Sequence, residues 1–196
     1  MMNIPKFENL TEKEIGYFIG FFIGDGYCYH SKNDRHYMVE LYFNSQSDNE
    51  ISKKLCNILS KLSLKHFRIV DKRSNSFRIK TNSKKLMKFI EISVKNFRKS
   101  NENSIDYRLG LISGFIDADG YVKHGEIQLT QKNKITLFNI LRLCQSFNIP
   151  VRKIWSQKNY KTENLIWRAR ISTEFKHLNH NSYKVRLAYS GVEQER

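Results

Sequence analysis

The sequence predicts an α+β protein of two pseudo-symmetric halves. Each half runs αββαββα, with antiparallel, saddle-shaped sheets and one helix of each half packed at the centre. Three observations carry this. An apolar stretch ending in Asp-Gly occurs twice, Ile15–Tyr27 and Leu109–Tyr121, with Asp25 and Asp119 94 residues apart. After each copy the hydrophobic period changes in the same order, from two to helical and back. The 196 residues are 40% hydrophobic and 13% aromatic, enough for a core in one compact domain or two small fused halves.

Residues 1–10 are a lead-in. Leu10-Thr11-Glu12-Lys13-Glu14-Ile15 reads as a capping box, with Thr11 as cap, Glu14 returning the bond and Leu10 stapling to Ile15. The first apolar helix then carries Gly16, Gly20 and Gly24 on one side, and the second carries Gly110, Gly114 and Ala118. Glycine inside a helix costs about 1 kcal/mol relative to alanine, and close approach of two backbones would offset it. Each apolar run is about half the ~20 residues that a membrane span needs. Gly26 and Gly120 suit a left-handed position closing each helix.

Period-two stretches follow at Tyr27–Lys32 and Arg35–Gln46, turning near Asn33-Asp34, with Val39, Leu41 and Phe43 on the apolar face. Ile51, Leu55, Ile58, Leu59 and Leu62 mark an amphipathic helix. Residues 66–73 and 76–82 form a hairpin, with Phe77, Ile79 and Thr81 inward and Arg78 and Lys80 outward. A helix over Ser83–Phe97 ends the half. In the second half Asn103 or Ser104 caps the apolar helix. Tyr121–Lys123 and Glu126–Gln131 pair around His124-Gly125, and Ile135–Phe147 is the amphipathic helix. Val151–Gln157 pairs with Leu165–Ser172, where Leu165, Trp167, Ala169 and Ile171 face in. A last short helix starts near Thr173. The halves are expected at 1–98 and 104–190, with 99–103 as connector and 191–196 as a loose tail.

The formal charge is +15, from 34 basic and 19 acidic residues spread along the chain. A folded polyanion-binding surface fits this better than a basic tail, and nucleic acid better than a membrane, for which no basic amphipathic helix is present. Cys28, Cys56 and Cys144 lack metal-ligand spacing. Their odd number and the absence of a signal segment point to an intracellular, reducing compartment.

Asp25 and Asp119 are the anomaly. A carboxylate is unfavourable at a helix C-terminus, and pairing the helices brings two of them together. A divalent cation resolves both problems. Two carboxylates with the carbonyls of Gly24 and Ala118 form a hard oxygen set suited to Mg²⁺.

Ile112-Ser113-Gly114-Phe115-Ile116-Asp117-Ala118-Asp119-Gly120 resembles the signature of the LAGLIDADG homing endonuclease family, and Phe18–Gly26 is a looser copy. The chain looks like the single-chain, two-motif branch. The resemblance implies a monomeric, site-specific, double-strand DNA endonuclease dependent on two or more Mg²⁺ ions. It would hydrolyse one phosphodiester per strand with Asp25 and Asp119 and leave short 3′ overhangs. Such a protein is commonly intron-encoded, which would place it in an organelle or a prokaryotic cytoplasm. The family also carries a polar residue at the end of the second strand of each half. Gln131 matches in the second half; in the first, Gln46 and Ser47 are both open. A basic residue usually completes each site, and Lys99 (or Arg98) and Lys184 are the candidates.

Outward strand residues are the candidate DNA contacts, because two-stranded ribbons fit the major groove. They are Tyr29, Lys32, Arg35, His36, Glu40, Tyr42, Asn44, Arg68, Arg78 and Lys80 in the first half. In the second they are Lys123, Glu126, Gln128, Arg152, Arg168 and Arg170. The competing function is an RNA maturase, with intron RNA as partner, or a non-cleaving DNA-binding regulator on the same fold.

Overall fold

The computed structural model describes residues 8–31, 36–71, 73–158, 164–173, 178 and 181–189. The first half runs α1 (Glu12–Asp25), β1 (Gly26–Ser31), β2 (His36–Asn44), α2 (Asn49–Lys61), β3 (His66–Asp71), β4 (Ser76–Asn82) and α3 (Lys84–Lys95). The second runs α4 (Ile105–Asp119), β5 (Gly120–Lys123), β6 (Glu126–Gln131), α5 (Lys134–Ser146), β7 (Val151–Lys158), β8 (Leu165–Ser172) and α6 (Tyr183–Tyr189). Two antiparallel four-stranded sheets result, ordered β1-β2-β4-β3 and β5-β6-β8-β7. The fold class is the α+β one expected. Lys32, the Asn33-Asp34 turn, Arg35, the start of the last helix and the tail lie outside the described residues.

Local chemistry sets the element ends. Thr11 Oγ1 accepts from Glu14 N, and the Glu14 carboxylate accepts from Thr11 N, completing the capping box. Ser104, not Asn103, caps α4 by accepting from Tyr107 N. Its hydroxyl also donates to Glu12 in the first turn of α1, so the two helices start side by side. The segment expected as a connector is a 3-10 helix, Phe97–Glu102, with Phe97 and Ser100 buried.

The small-residue seams meet. A Cβ on Gly20 would lie 2.8 Å from the Leu111 carbonyl carbon, and one on Gly114 would lie 2.9 Å from Phe21 N. Gly16 and Gly110 are equally tight against Leu111 N and Tyr17 N, at 3.0 and 2.9 Å. Backbone touches backbone, so no neighbouring side chain can give way.

Gly26 and Gly120 depart from expectation. Both are extended, with φ −104° and −87°, and their N–H groups bond Phe22 O and Ile116 O. Space selects glycine here: a Cβ would stand 2.5 Å from Phe22 O at Gly26 and 2.5 Å from Ile116 O at Gly120.

One face of each sheet holds the core. Val39, Leu41, Phe43, Phe77 and Ile79 lie under α2 and α3; Ile127, Leu129, Ala169 and Ile171 lie under α5. Leu165, expected inward, is exposed, because it lies at the far end of the β7–β8 hairpin. Among the described residues no helix is long and apolar enough to cross a membrane.

Candidate functional site

The seam packing carries α1 and α4 to a common end, so Asp25 and Asp119 finish next to each other. Burial is the main reason that both carboxyls titrate high, Asp25 at about 6 and Asp119 at about 7. The Asp25 charge raises Asp119 further, and Asp48 raises Asp25. Lys184 offsets part of the rise at both. The Asp119 carboxylate lies over Gly24, where a Cβ would sit 3.1 Å from its Oδ2.

Gln131, at the end of β6, donates from Nε2 to Asp119 Oδ2. Neither first-half candidate has this place. Gly26 pairs with Leu41 as Gly120 pairs with Leu129, so strand register puts Phe43 where the second half has Gln131. Phe43 is buried, stacked between Phe21 and Phe77 with centroids 5.1 and 5.0 Å away. Gln46 is exposed in the turn beyond β2, its N–H bonded to Asn44 Oδ1. Ser47 donates to Asp48 Oδ1, 2.8 Å, and Asp48 Oδ2 accepts from Asn44 N, 2.8 Å. The buried polar group beside Asp25 is thus Asp48, which the sequence reading did not single out.

Lys184 stands at the carboxylate pair. Its Nζ donates to Ala118 O, 3.0 Å, and to Gly120 O, 3.1 Å. Asp117, fully buried at 0% exposure, holds it there. Its carboxylate accepts from Lys184 N (3.0 Å), Tyr183 N (3.0 Å), Ser182 Oγ (2.7 Å) and Tyr17 Oη (2.7 Å). The first two N–H groups open α6, where a negative charge is favoured. Lys54 of α2 completes the joint from the first half, with Nζ 3.3 Å from the Tyr17 ring centre and 3.2 Å from Asn181 O. Burial pulls the Lys54 ammonium down to about 8, with Asp117 opposing. The first motif has Ile23 where the second has Asp117, and so lacks this anchor.

The other basic candidates stay away from the pair. Lys99 and Arg98 are exposed in the 3-10 helix, and the charges that shift Asp25 are those of Lys184 and Asp48. Among the described residues no three His, Cys, Asp or Glu side chains form a metal cage. Two carboxylates crowded at helix ends still fit Mg²⁺, which binds through one or two carboxylates and completes its shell with water and substrate phosphate. Of the expected carbonyl ligands, Ala118 O already accepts from Lys184.

The outward sheet faces are basic, each organised by a glutamate. Glu40, only 4% exposed, accepts from Tyr42 Oη at 2.8 Å and pairs with Arg78 at 3.6 Å and Lys80 at 3.7 Å. Glu126 pairs with Arg152 at 3.1 Å and Arg170 at 3.5 Å. Tyr29, His36, Asn44, Lys123, Gln128 and Arg168 share these faces by register. The Nε atoms of Arg78 and Arg168, at equivalent places, are buried without a hydrogen-bond partner among the described residues. Arg68 does not share the face. It pairs with Ile79 on the helix-covered side, lies 3.8 Å from the Phe77 ring centre and bonds Asn49 at 3.4 Å. Lys32 and Arg35 lie outside the described residues.

Comparison with known proteins agrees with this architecture. Residues 106–185 match the family model of the LAGLIDADG-like domain. A variant of the homing endonuclease I-DmoI in complex with its target DNA and Mn superposes with TM-score 0.68 at 18% identity, over 87% of this chain and 93% of that one. I-DmoI with DNA and Ca gives 0.67 at 18% identity, over 86% of each chain. Full-length DUF199/WhiA from Thermatoga maritima gives 0.63 at 16% identity, over 96% of this chain and 61% of that one. A search of curated proteins finds no match. Residues 106–185 are therefore similar to a LAGLIDADG-like domain, and the two halves of the chain together share the fold of I-DmoI.

Proposed function

We propose that the chain is a monomeric, site-specific DNA endonuclease of the homing type, cutting one phosphodiester in each strand and leaving short 3′ overhangs. The observation that carries this is the pairing of Asp25 and Asp119 at the junction of two basic sheet faces. A duplex has two scissile phosphates, and a pair of carboxylates on the pseudo-twofold axis can serve both. I-DmoI, with which the fold is shared, is described as a homing endonuclease in complex with DNA, Ca or Mn.

Asp25 and Asp119 would hold Mg²⁺ with help from the Gly24 carbonyl, and Ala118 O would be shared with Lys184. A divalent ion so bound supplies a more acidic water and charge neutralisation at phosphorus. The chain's own groups do the rest. Lys184 brings a fixed positive charge to the carboxylate pair. Gln131 orients the Asp119 carboxylate. Glu40 and Glu126 hold Arg78, Lys80, Arg152 and Arg170 in place, so that their donors meet the duplex preorganised. We place the halves at 1–98 and 104–190 and the protein in a reducing intracellular compartment, intron-encoded in an organelle or a prokaryote.

The test begins with duplexes selected by the protein from a randomised pool. Cleavage of both strands is expected with Mg²⁺, binding without cleavage with Ca²⁺, and no cleavage in excess chelator. Full cleavage in chelator would overturn the two-aspartate site. The second reading, a DNA-binding regulator or RNA maturase, draws support from the first half, where Phe43 replaces the Gln131 position and, among the described residues, no lysine matches Lys184. A parent protein that binds intron RNA tightly and never cuts DNA would establish it.

A further inference from the structure

Strand β3 is the outer edge of the first sheet, and its residues are exposed along most of its length. Cross-strand partners share a face. Phe67 pairs with Lys80 and Ile69 with Arg78, so both apolar side chains stand on the basic, helix-free face. They are 65% and 37% exposed. Alternation would normally put Phe and Ile inward and Arg68 outward; here the order is reversed. A reversal that leaves a phenylalanine in solvent beside two cations points to a surface built to meet something both anionic and locally apolar.

The second sheet differs at the matching places. Lys153 pairs with Arg170 and Trp155 with Arg168, so a lysine stands where the first sheet has Phe67. Trp155 holds the place of Ile69 but is half-buried, with Lys153 Nζ and Arg170 Cζ each 5.5 Å from its ring centre, so cations flank the ring there while the rim of the first sheet offers bare hydrocarbon. The thymine 5-methyl group is the apolar feature of the major groove.

We propose that Phe67 and Ile69 are specificity determinants that read thymine methyl groups in the half-site under the first sheet, with Lys80 and Arg78 supplying the phosphate attraction. This rests on the DNA-binding reading above. Charge complementarity selects the occupant. Duplex DNA meets both the cations and the hydrocarbon, while a second copy of a chain carrying a +15 charge would bring like charge to the same edge.

The experiment uses duplexes selected from a randomised pool by the full chain. Thymine is expected at one or two positions of a single half-site. Replacing each of those thymines with deoxyuridine removes one methyl and nothing else. Loss of one buried methyl, worth about 0.8 kcal/mol, corresponds to about fourfold weaker binding. Phe67→Ala and Ile69→Ala should each abolish the uracil penalty at one position, leaving binding to thymine and uracil duplexes equal there. Equal affinity of the parent for both duplexes would overturn the proposal, as would a uracil penalty that survives both substitutions. A concentration-dependent dimer lost in Phe67→Ala, with base preference unchanged, would assign the patch to a second copy and also overturn it. A chain that binds no duplex DNA would overturn this proposal together with the proposed function; one that binds or cuts DNA but ignores the methyl would overturn this proposal alone.

Discussion

At the residue scale the site is defined by charges that burial makes costly. Asp25 and Asp119 titrate at about 6 and about 7, against 3.8 when unperturbed. Between those values the folded chain keeps protons that the unfolded chain has released. The associated stability is full below the unfolded value and is lost as pH rises through the folded ones. In chelator the melting temperature should therefore fall between about pH 4 and about pH 7. Asp25→Asn removes one of the two groups and, by deleting the charge that raises Asp119, lowers the other. Its melting curve should be flatter across that window; a slope equal to the parent's would contradict the coupling. Asp117 has a different role, since it anchors. Asp117→Ala would strand the Tyr17 and Ser182 hydroxyls and two backbone N–H groups, each at about 1–3 kcal/mol. Urea unfolding should report a loss of at least about 3 kcal/mol, and a change under 1 kcal/mol would dismiss the anchor. The sequence pointed to Lys184 and Asp25, but not to Asp117, which anchors the first, or Asp48, which faces the second. The partners of Asp117 are distant in sequence, and a carboxylate in an apolar helix carries no local sign of what it will bond; Asp48 bonds its neighbours Asn44 and Ser47, and nothing local shows that it will face Asp25.

At the element scale the two motif helices were legible because their signals are local: the capping box at Thr11, the glycine spacing and the Asp-Gly ends. The meeting of the seams has a consequence opposite to helix propensity. Gly114→Ala should gain about 1 kcal/mol as an exposed helical substitution. Here its Cβ enters the backbone of α1, so thermal unfolding should show net destabilisation, and Gly114→Val should lose at least about 1–3 kcal/mol. An unchanged or higher melting temperature for Gly114→Ala would mean the backbones do not touch. The strands were harder to read. Gln131 was legible because only Lys132 separates it from the Asn133 cap of α5. In the first half a longer turn separates Phe43 from the Asp48 start of α2, so counting from the glutamine or from strand alternation selected Gln46 or Ser47 and missed Phe43. Arg68 was misplaced because β3 breaks the rule that hydrocarbon faces inward.

At the scale of the whole molecule, two halves with the same topology have unequal sites. Gln131 and Lys184 serve one side of the carboxylate pair, and Phe43 and Asp48 flank the other. The basic faces are more alike, and Arg78 and Arg168 occupy matching places. Arg78→Ala and Arg170→Ala should each weaken duplex binding by about 1–3 kcal/mol if they read a base. If they touch phosphate, the slope of log affinity against log salt should fall by about one, with base preference unchanged. Loss of neither affinity nor slope would put the sheet faces away from DNA. On the proposed function, Asp25 and Asp119 form one centre that cuts both strands and contributes little to binding. Duplex affinity and double-strand cleavage, measured side by side for Asp25→Asn and Asp119→Asn, separate the two roles. Both variants are expected to bind as tightly as the parent or more so, because each is more positive, while double-strand cleavage collapses to at most slow nicking of one strand. A variant that cuts both strands at the parental rate would contradict the claim.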